Sequence, residues 1–520
     1  MPRHRQTLIE IALIFAVFAV QGAWPVPDVN EPYYLGKAIH YWNPDWLQGD
    51  FFMESADTHK VFYFTFGWLS LWLSPTMLAW TGRILTWLSL AWAWRRLSSA
   101  VIPRHWYSVL TAALFACLME RCHMAGEWVI GGVEAKGFAY AFVFLGLEGL
   151  VRNRWNQALL MFGAASALHV LVGGWFVVAT ALAWLWLKRS ESFATPNTAD
   201  VSHMPPLHTL WPGILGGLLL SLPGLIPSLI LDWGVDRETV WQAHQIYVFE
   251  RLPHHLTLAG IRPTFILRLT LLWGVWLALP WINRGDETIR RLRALVAGAV
   301  AISLIGAAIH LLIPLDRAWA ADLLRYYWFR TTDVVLPLGV ALEVAALIVV
   351  ARANRSAVGR RWLAFALLLI GLHLGSHAWD RFDPAPPRSH RIADFDAWRD
   401  ACRWVAESGE VPPDARFITP RLAQTFKWYT GRDDVATWKD VPQEAHKIVG
   451  WWERIQDIYA TGQPPPSRRW NDPLAKIGSR RMGQLGTKYG ADYTIVQRTD
   501  PPLNFDVVYH NRTYVVYRLR

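Results

Sequence analysis

The sequence predicts an α-helical polytopic membrane protein of about eleven transmembrane helices, with a C-terminal extracytoplasmic α/β domain. Three observations predict it. Apolar runs near the length of a bilayer span recur through the first 380 residues. The composition is 53% hydrophobic, with 32 tryptophans in 520 residues. From about residue 381 the composition changes to that of a soluble domain.

The spans follow in order. An apolar run at 8–20 follows Arg3 and Arg5 and reads as a retained first helix with a cytoplasmic N-terminus. Residues 24–75 then form an outer loop. Its last part, 61–73, is a re-entrant or interfacial segment ended by Ser74-Pro75. Further spans are expected at about 76–94, 106–121 and 138–151. Residues 157–187 are too long for one untilted helix, so they read as two short helices turning near His169-Val170-Leu171-Val172-Gly173-Gly174. A polar linker at 188–210 precedes spans at about 211–231, 263–282, 292–313, 331–351 and 361–379. Arginine and lysine gather in the short segments of one side (Arg95, Arg96, Arg152, Arg154, Lys188, Arg189, Arg290, Arg291, Arg293) and thin out in the longer loops of the other. That asymmetry sets the orientation and accounts for much of the net charge of +10, so the charge is not read as a nucleic-acid surface. The expected location is the plasma (inner) membrane, with the C-terminal domain outside.

In residues 381–520, Asp394–Ser408 has a helical amphipathic pattern with Trp398, Cys402 and Val405 on one face. Residues 415–420 read as a strand and turn, 443–461 as a helix, 493–496 as a strand and 507–519 as a terminal hairpin. No catalytic signature stands out there, and the expected job is to cover or shape the membrane site. Cys117, Cys122 and Cys402 form neither a disulfide framework nor a metal-ligand spacing.

The chemistry concentrates in the outer loops. The first carries six carboxylates (Asp28, Glu31, Asp45, Asp50, Glu54, Asp57) against Lys37 and Lys60, with Asp28 and Glu31 between Pro27 and Pro32. The prolines make a regular helix unlikely across that pair. A second loop, 121–137, holds Glu127, and Glu134 and Lys136 flank its Gly-rich end. The loop at 232–262 holds His254 and His255. Arg325 and Arg330 bracket an aromatic run at a later span mouth, where guanidinium forks suit phosphate oxygens. Arg83 and Glu343 lie at membrane depth, where a charge costs at least a few kcal/mol, and read either as a mutual pair, as anchors or as a relay.

An acidic first loop past helix one, a second acidic loop, a broken helix pair at His169, arginines at a later span mouth and an outer α/β domain together resemble the GT-C class, the integral-membrane glycosyltransferases that use polyprenyl-phosphate-linked sugars. The segments Glu-Pro-Tyr-Tyr-Leu and Gly-Gly-Val-Glu-Ala-Lys-Gly-Phe resemble a bacterial branch of that class. Asp-Xaa-Xaa-Glu replaces the Asp-Xaa-Asp or adjacent Asp-Glu of better-known branches. The resemblance implies a polyprenyl-phosphate sugar as partner, Asp28 as general base, Glu31 orienting it or binding a divalent cation, Arg325 and Arg330 on the donor phosphate, and Glu127, Glu134, Lys136, His254 and His255 lining the substrate site. The sugar and the acceptor stay open. Two other readings compete: a transporter or lipid flippase using Arg83 and Glu343 as a relay, and a non-catalytic envelope scaffold. Convergence of Asp28, Glu134 and Arg330 on one cavity favours the transferase. A cavity running past Arg83 and Glu343 favours transport.

Overall fold

The computed structural model describes residues 3–192, 204–282, 285–354, 357–382, 385–462 and 470–520. Helix α1 (Arg3–Gly22) leads into the first loop, which carries α2 (Glu31–Trp42), α3 (Lys60–Phe66) and a 3₁₀ turn at Gly67–Leu71. Ser74 then starts α4 (Pro75–Val101): its hydroxyl accepts the Met77 N–H, and Pro75 fills a position whose N–H has no helical partner. Next come α5 (Tyr107–Cys122), α6 (Ala135–Val151), α7 (Trp155–Leu168), α8 (Val170–Ser192) and α9 (Trp211–Ile230). A second loop region holds α10 (Arg237–Gln245), a π-helical turn at Ile246–Arg251 and α11 (Pro253–Leu256). It is followed by α12 (Pro263–Ile282), α13 (Glu287–Leu311), short α14 (Arg317–Leu324), α15 (Arg330–Ala353) and α16 (Ala357–Phe382).

Each of the eleven expected spans falls on a helix. Seven helical segments among the described residues are long and apolar enough to cross a membrane: those containing α1, α8, α9, α12, α13, α15 and α16. The other four differ. Helix α4 has the length but carries Arg83, Arg95 and Arg96, while α5, α6 and α7 have 16, 17 and 14 residues. At 1.5 Å per residue α7 covers only about 21 Å. The expected helix pair is present, with its break at His169, which is extended. Small residues set the packing here. A side chain on Gly163 would collide with Gly217 of α9, and one on Gly224 with the carbonyls of Ser166 and Ala167. This is the close approach that small residues permit between membrane helices. Exposed Leu219, Leu229, Leu271, Trp281 and Leu311 clothe the outside of the bundle in apolar surface.

The C-terminal domain is a five-stranded mixed sheet, ordered β2 (Asp433–Asp434), β1 (Arg416–Ile418), β3 (Tyr493–Gln497), β5 (Tyr514–Arg518), β4 (Asp506–His510). Strand β1 pairs in parallel with β2 and β3, and β3, β5 and β4 pair antiparallel. Period-two alternation gives the sheet two buried faces. Phe417, Ile495, Tyr514 and Val516 pack on Trp398 and Cys402 of α17 (Phe395–Glu407). Ile418, Val496, Val515 and Tyr517 pack with Trp451 and Ile455 of α19 (Ala445–Tyr459), alongside Met482 and Leu485 of α20 (Gly478–Tyr489). Short α18 (Phe426–Thr430) carries Lys427 to the boundary with the helical domain.

The domain sits on the loop-bearing end of the bundle. Lys427 Nζ lies 2.9 Å from Asp50, 3.0 Å from Asp440 and 3.4 Å from Asp434. Gln443 Oε1 accepts from Thr58, Glu444 accepts the Ala56 N–H, and Ser389 donates to the Pro27 carbonyl.

Candidate active site

Local folding of the first loop is governed by Glu31. Arg83 reaches up from α4 and forks onto it, Nε to Oε1 at 2.7 Å and Nη2 to Oε2 at 2.8 Å, with both side chains fully buried. Glu31 also accepts the backbone N–H of Asp28 (2.7 Å) and of Val133 (3.0 Å). Four donors therefore saturate its lone pairs. Through the Asp28 N–H it holds the backbone of the expected base, and through Arg83 it clamps the loop to α4. Among the described residues no group of three or more His, Cys, Asp or Glu is arranged to hold a metal ion.

Asp28 is held beside that clamp. Its Oδ1 accepts the Val29 N–H at 2.8 Å and its Oδ2 the Gly132 N–H at 3.0 Å, while Arg388 Nε lies 3.4 Å away. Each oxygen keeps spare acceptor capacity. Gly132 is required by space: a Cβ there would lie 2.7 Å from Asp28 Cβ and 2.9 Å from Glu31 Oε1.

From Asp28 a chain of charge leads inward. Asn30 Nδ2 donates to Glu134, and Lys136 Nζ lies 3.5 Å from Glu134 and 3.0 Å from Glu127. Glu127 Oε2 is 3.3 Å from Arg330 Nε. That last approach is not aligned as a hydrogen bond. Arg330 Nε is buried without a hydrogen-bond partner, and Glu127 Oε1 is held by the Lys136 ammonium 3.0 Å away. Both residues line a small cleft, together with Tyr140, His169, Trp175 and Tyr327. Tyr327 lies under the Arg330 guanidinium at 3.9 Å and shares a 2.7 Å hydroxyl contact with Tyr247.

The electrostatics of this wall are cationic. Arg251 donates to the Trp438 carbonyl at 2.9 Å, and the next residue, Lys439, shares a field with Arg251, Lys136, Arg330 and Glu134. Burial and then Arg251 push Lys439 down to about 7. Burial pushes Glu134 up, against the pull of Lys136. His254 stacks on His255, whose Nδ1 donates to the Ala125 carbonyl at 2.6 Å. Burial, with Arg251 next, holds His254 down at about 4, so the pair is neutral near pH 7. Across the cavity wall, His59 sits 5.1 Å from His169, ring to ring, and takes Asp57 at 2.7 Å.

Of the sequence-read site residues, the structure brings together Glu127, Glu134, Lys136 and Arg330, while Asp28 stands apart on Val29, Gly132 and Arg388. Arg325 does not join them. Its guanidinium turns outward to the Tyr326 hydroxyl at 2.7 Å and Asp232 at 3.9 Å, because the intervening chain reverses at Tyr327, whose φ is +58°. Arg83 does not pair with Glu343 either. Glu343 takes Arg293 at 2.7 Å and Trp276 at 3.1 Å, at the other end of the bundle. The relay expected for transport is therefore broken. Sequence reading missed Arg251, Lys439, Tyr247 and Tyr327, which lie far apart in the chain. Only the adjoining aromatic and basic residues at 325–330 and 438–439 carried a signal.

Residues 396–458 match a sequence family described as a domain of unknown function (DUF6798). The match covers α17 to α19, including the loop that carries Lys439. No curated protein matches the chain. Two solved structures align over its full length. They are the crystal structures of ArnT from Cupriavidus metallidurans, one bound to undecaprenyl phosphate and one in the apo state. Identities are 13% and 14%, TM-scores 0.38 and 0.40, and each alignment covers 99% of this chain and 97% of the other.

Proposed function

We propose that the protein is a membrane glycosyltransferase of the GT-C kind, moving a sugar from a polyprenyl-phosphate donor to an acceptor on the outer face of the plasma membrane. The observation that carries the reading is the cavity beside Arg330. Arg330 and Glu127 line it at the loop-bearing end of an apolar bundle, and Lys136, Arg251, Lys439 and Glu134 share their electrostatic field. That cation-rich field and an unpartnered guanidinium N–H suit a phosphate.

In this reading the donor phosphate lies on Arg330 and Lys136. The glycosidic C–O bond to the phosphate breaks, its electron pair stays on the phosphate oxygen, and the cations stabilise that charge as it develops. The acceptor oxygen bonds to the anomeric carbon and gives its proton to Asp28, whose oxygens keep spare lone pairs. The N-terminus is cytoplasmic and the α/β domain covers the site from outside. The test is sugar transfer by purified full-length protein with a panel of polyprenyl-phosphate sugars, alongside Asp28→Asn and Arg330→Gln. Loss of polyprenyl-phosphate release in both folded variants is the expected result. Wild-type rates in either variant, or no turnover by wild type with any donor, would overturn the reading.

A further inference from the structure

Arg388, which touches Asp28, belongs to a second cluster that takes no part in the donor site. Two arginines lie against Trp24, just past α1. The Arg381 guanidinium lies 3.8 Å from its ring and that of Arg388 4.8 Å. Arg381 ends α16, where an ordinary interfacial arginine extends its head toward water. Here it turns back, and its Nη2 caps α1 by donating to the carbonyls of Val20 (3.2 Å) and Gln21 (3.0 Å). Its Nε and Nη1 are buried without a hydrogen-bond partner. Arg388 is about one-third exposed and touches only the edge of Asp28 at 3.4 Å. The surface beside them is apolar and lipid-like in exposure: Trp379 is 76% exposed and Phe382 86%. Asp380 is exposed on the same turn, and His377 meets Trp24 edge-on at 6.0 Å.

We infer that Arg381 and Arg388, both against Trp24, form a shelf for the phosphate headgroup of a membrane amphiphile, placed beside Asp28. Stacking on Trp24 fixes the guanidinium planes, so their remaining N–H groups are preorganised for oxygen acceptors. Trp379 and Phe382 place the acyl part in the bilayer next to the shelf. Because Arg388 of the shelf touches Asp28, the amphiphile is the acceptor of the proposed reaction. That role rests on the transferase reading; the shelf does not.

The probe is phosphatidic acid in mixed micelles, with phosphatidylcholine as the reference and inorganic phosphate as the competitor, on the full-length protein. Wild type is expected to prefer phosphatidic acid by about tenfold, and Arg381→Gln or Arg388→Gln to remove most of that preference. Arg388 is exposed enough that its variant keeps the test valid should loss of the α1 cap unfold the Arg381 variant. An unchanged preference in the folded variants, or none in wild type, sinks the shelf. Displacement by millimolar inorganic phosphate assigns the site to a soluble anion and overturns the lipid assignment. The donor reading is measured separately, by donor consumption in Arg330→Gln. A wild type that prefers phosphatidic acid but consumes no donor leaves the shelf standing and removes the transferase.

Discussion

Lys439 shows how one side chain can tie chemistry to pH. It titrates near 7 because it is buried and faces Arg251. Above pH 7 the free site is then short of one positive charge, and a phosphate entering it restores the charge by drawing in a proton. Affinity for polyprenyl phosphate is expected to fall by up to about tenfold per pH unit above 7, with proton uptake on binding, while Lys439→Gln flattens both. Calorimetry at pH 8 in two buffers of different ionisation enthalpy reads the uptake directly. Glu31 and Arg83 make the opposite kind of pair, internal and permanent. Replacing Arg83 with Gln strands a buried carboxylate and is expected to cost about 3–5 kcal/mol, read as a lower denaturation midpoint. Gly132→Ala tests space alone. Its methyl group would press on Asp28 and Glu31, so transfer should drop sharply in a protein whose thermal midpoint changes much less.

At the scale of elements, the crossing of α7 and α9 depends on residues without side chains. Gly163→Leu is expected to separate the two helices and destabilise the detergent-solubilised protein by several degrees, whereas Gly174→Ala, with open space around it, should be silent. These helices also show what was legible in the sequence. The period and length of apolar runs located the helices, seven of them long and apolar enough to span, and the break at His169, because bilayer thickness and the hydrogen-bonding of backbone in lipid leave little freedom. In the soluble domain α17, α19 and the terminal hairpin were equally legible from their alternation. Helix α20 was not, since Gly478, Gly483 and Gly486 blur its pattern, and neither was β2, which has two residues. Within the site, carboxylates close in sequence were found, but their roles were set by partners far along the chain. Arg83 claims Glu31 from 52 residues away, and nothing local to Glu31 announces it.

For the whole molecule, the joint between domain and bundle is an acidic nest. Asp50 of the first loop meets Asp433, Asp434 and Asp440 around Lys427. Burial, with Asp50 next, pushes Asp433 up to about 8, and burial pushes Asp434 up to about 7. Both carboxyls hold protons in the folded state that they lose in the unfolded one. Their contribution is therefore full below about pH 4 and is lost as pH rises through 7 to 8. Limited proteolysis between the domains should speed up across that window, and Asp434→Asn should remove much of the change.

The charged residues of this site run from Glu127 to Lys439, so its earliest-made and latest-made parts are 312 residues apart (439 less 127) in order of synthesis. A nascent chain inserted as far as α16 already has Arg330 and Glu127, yet lacks Lys439 and the strand-bearing roof. Such a chain holds an unroofed, water-filled site in which charge on a departing phosphate is poorly stabilised. On the transferase reading, activity arrives only when the last domain has folded onto the first loop. A half-made chain stalled in the membrane would then sit among donor lipids without spending them.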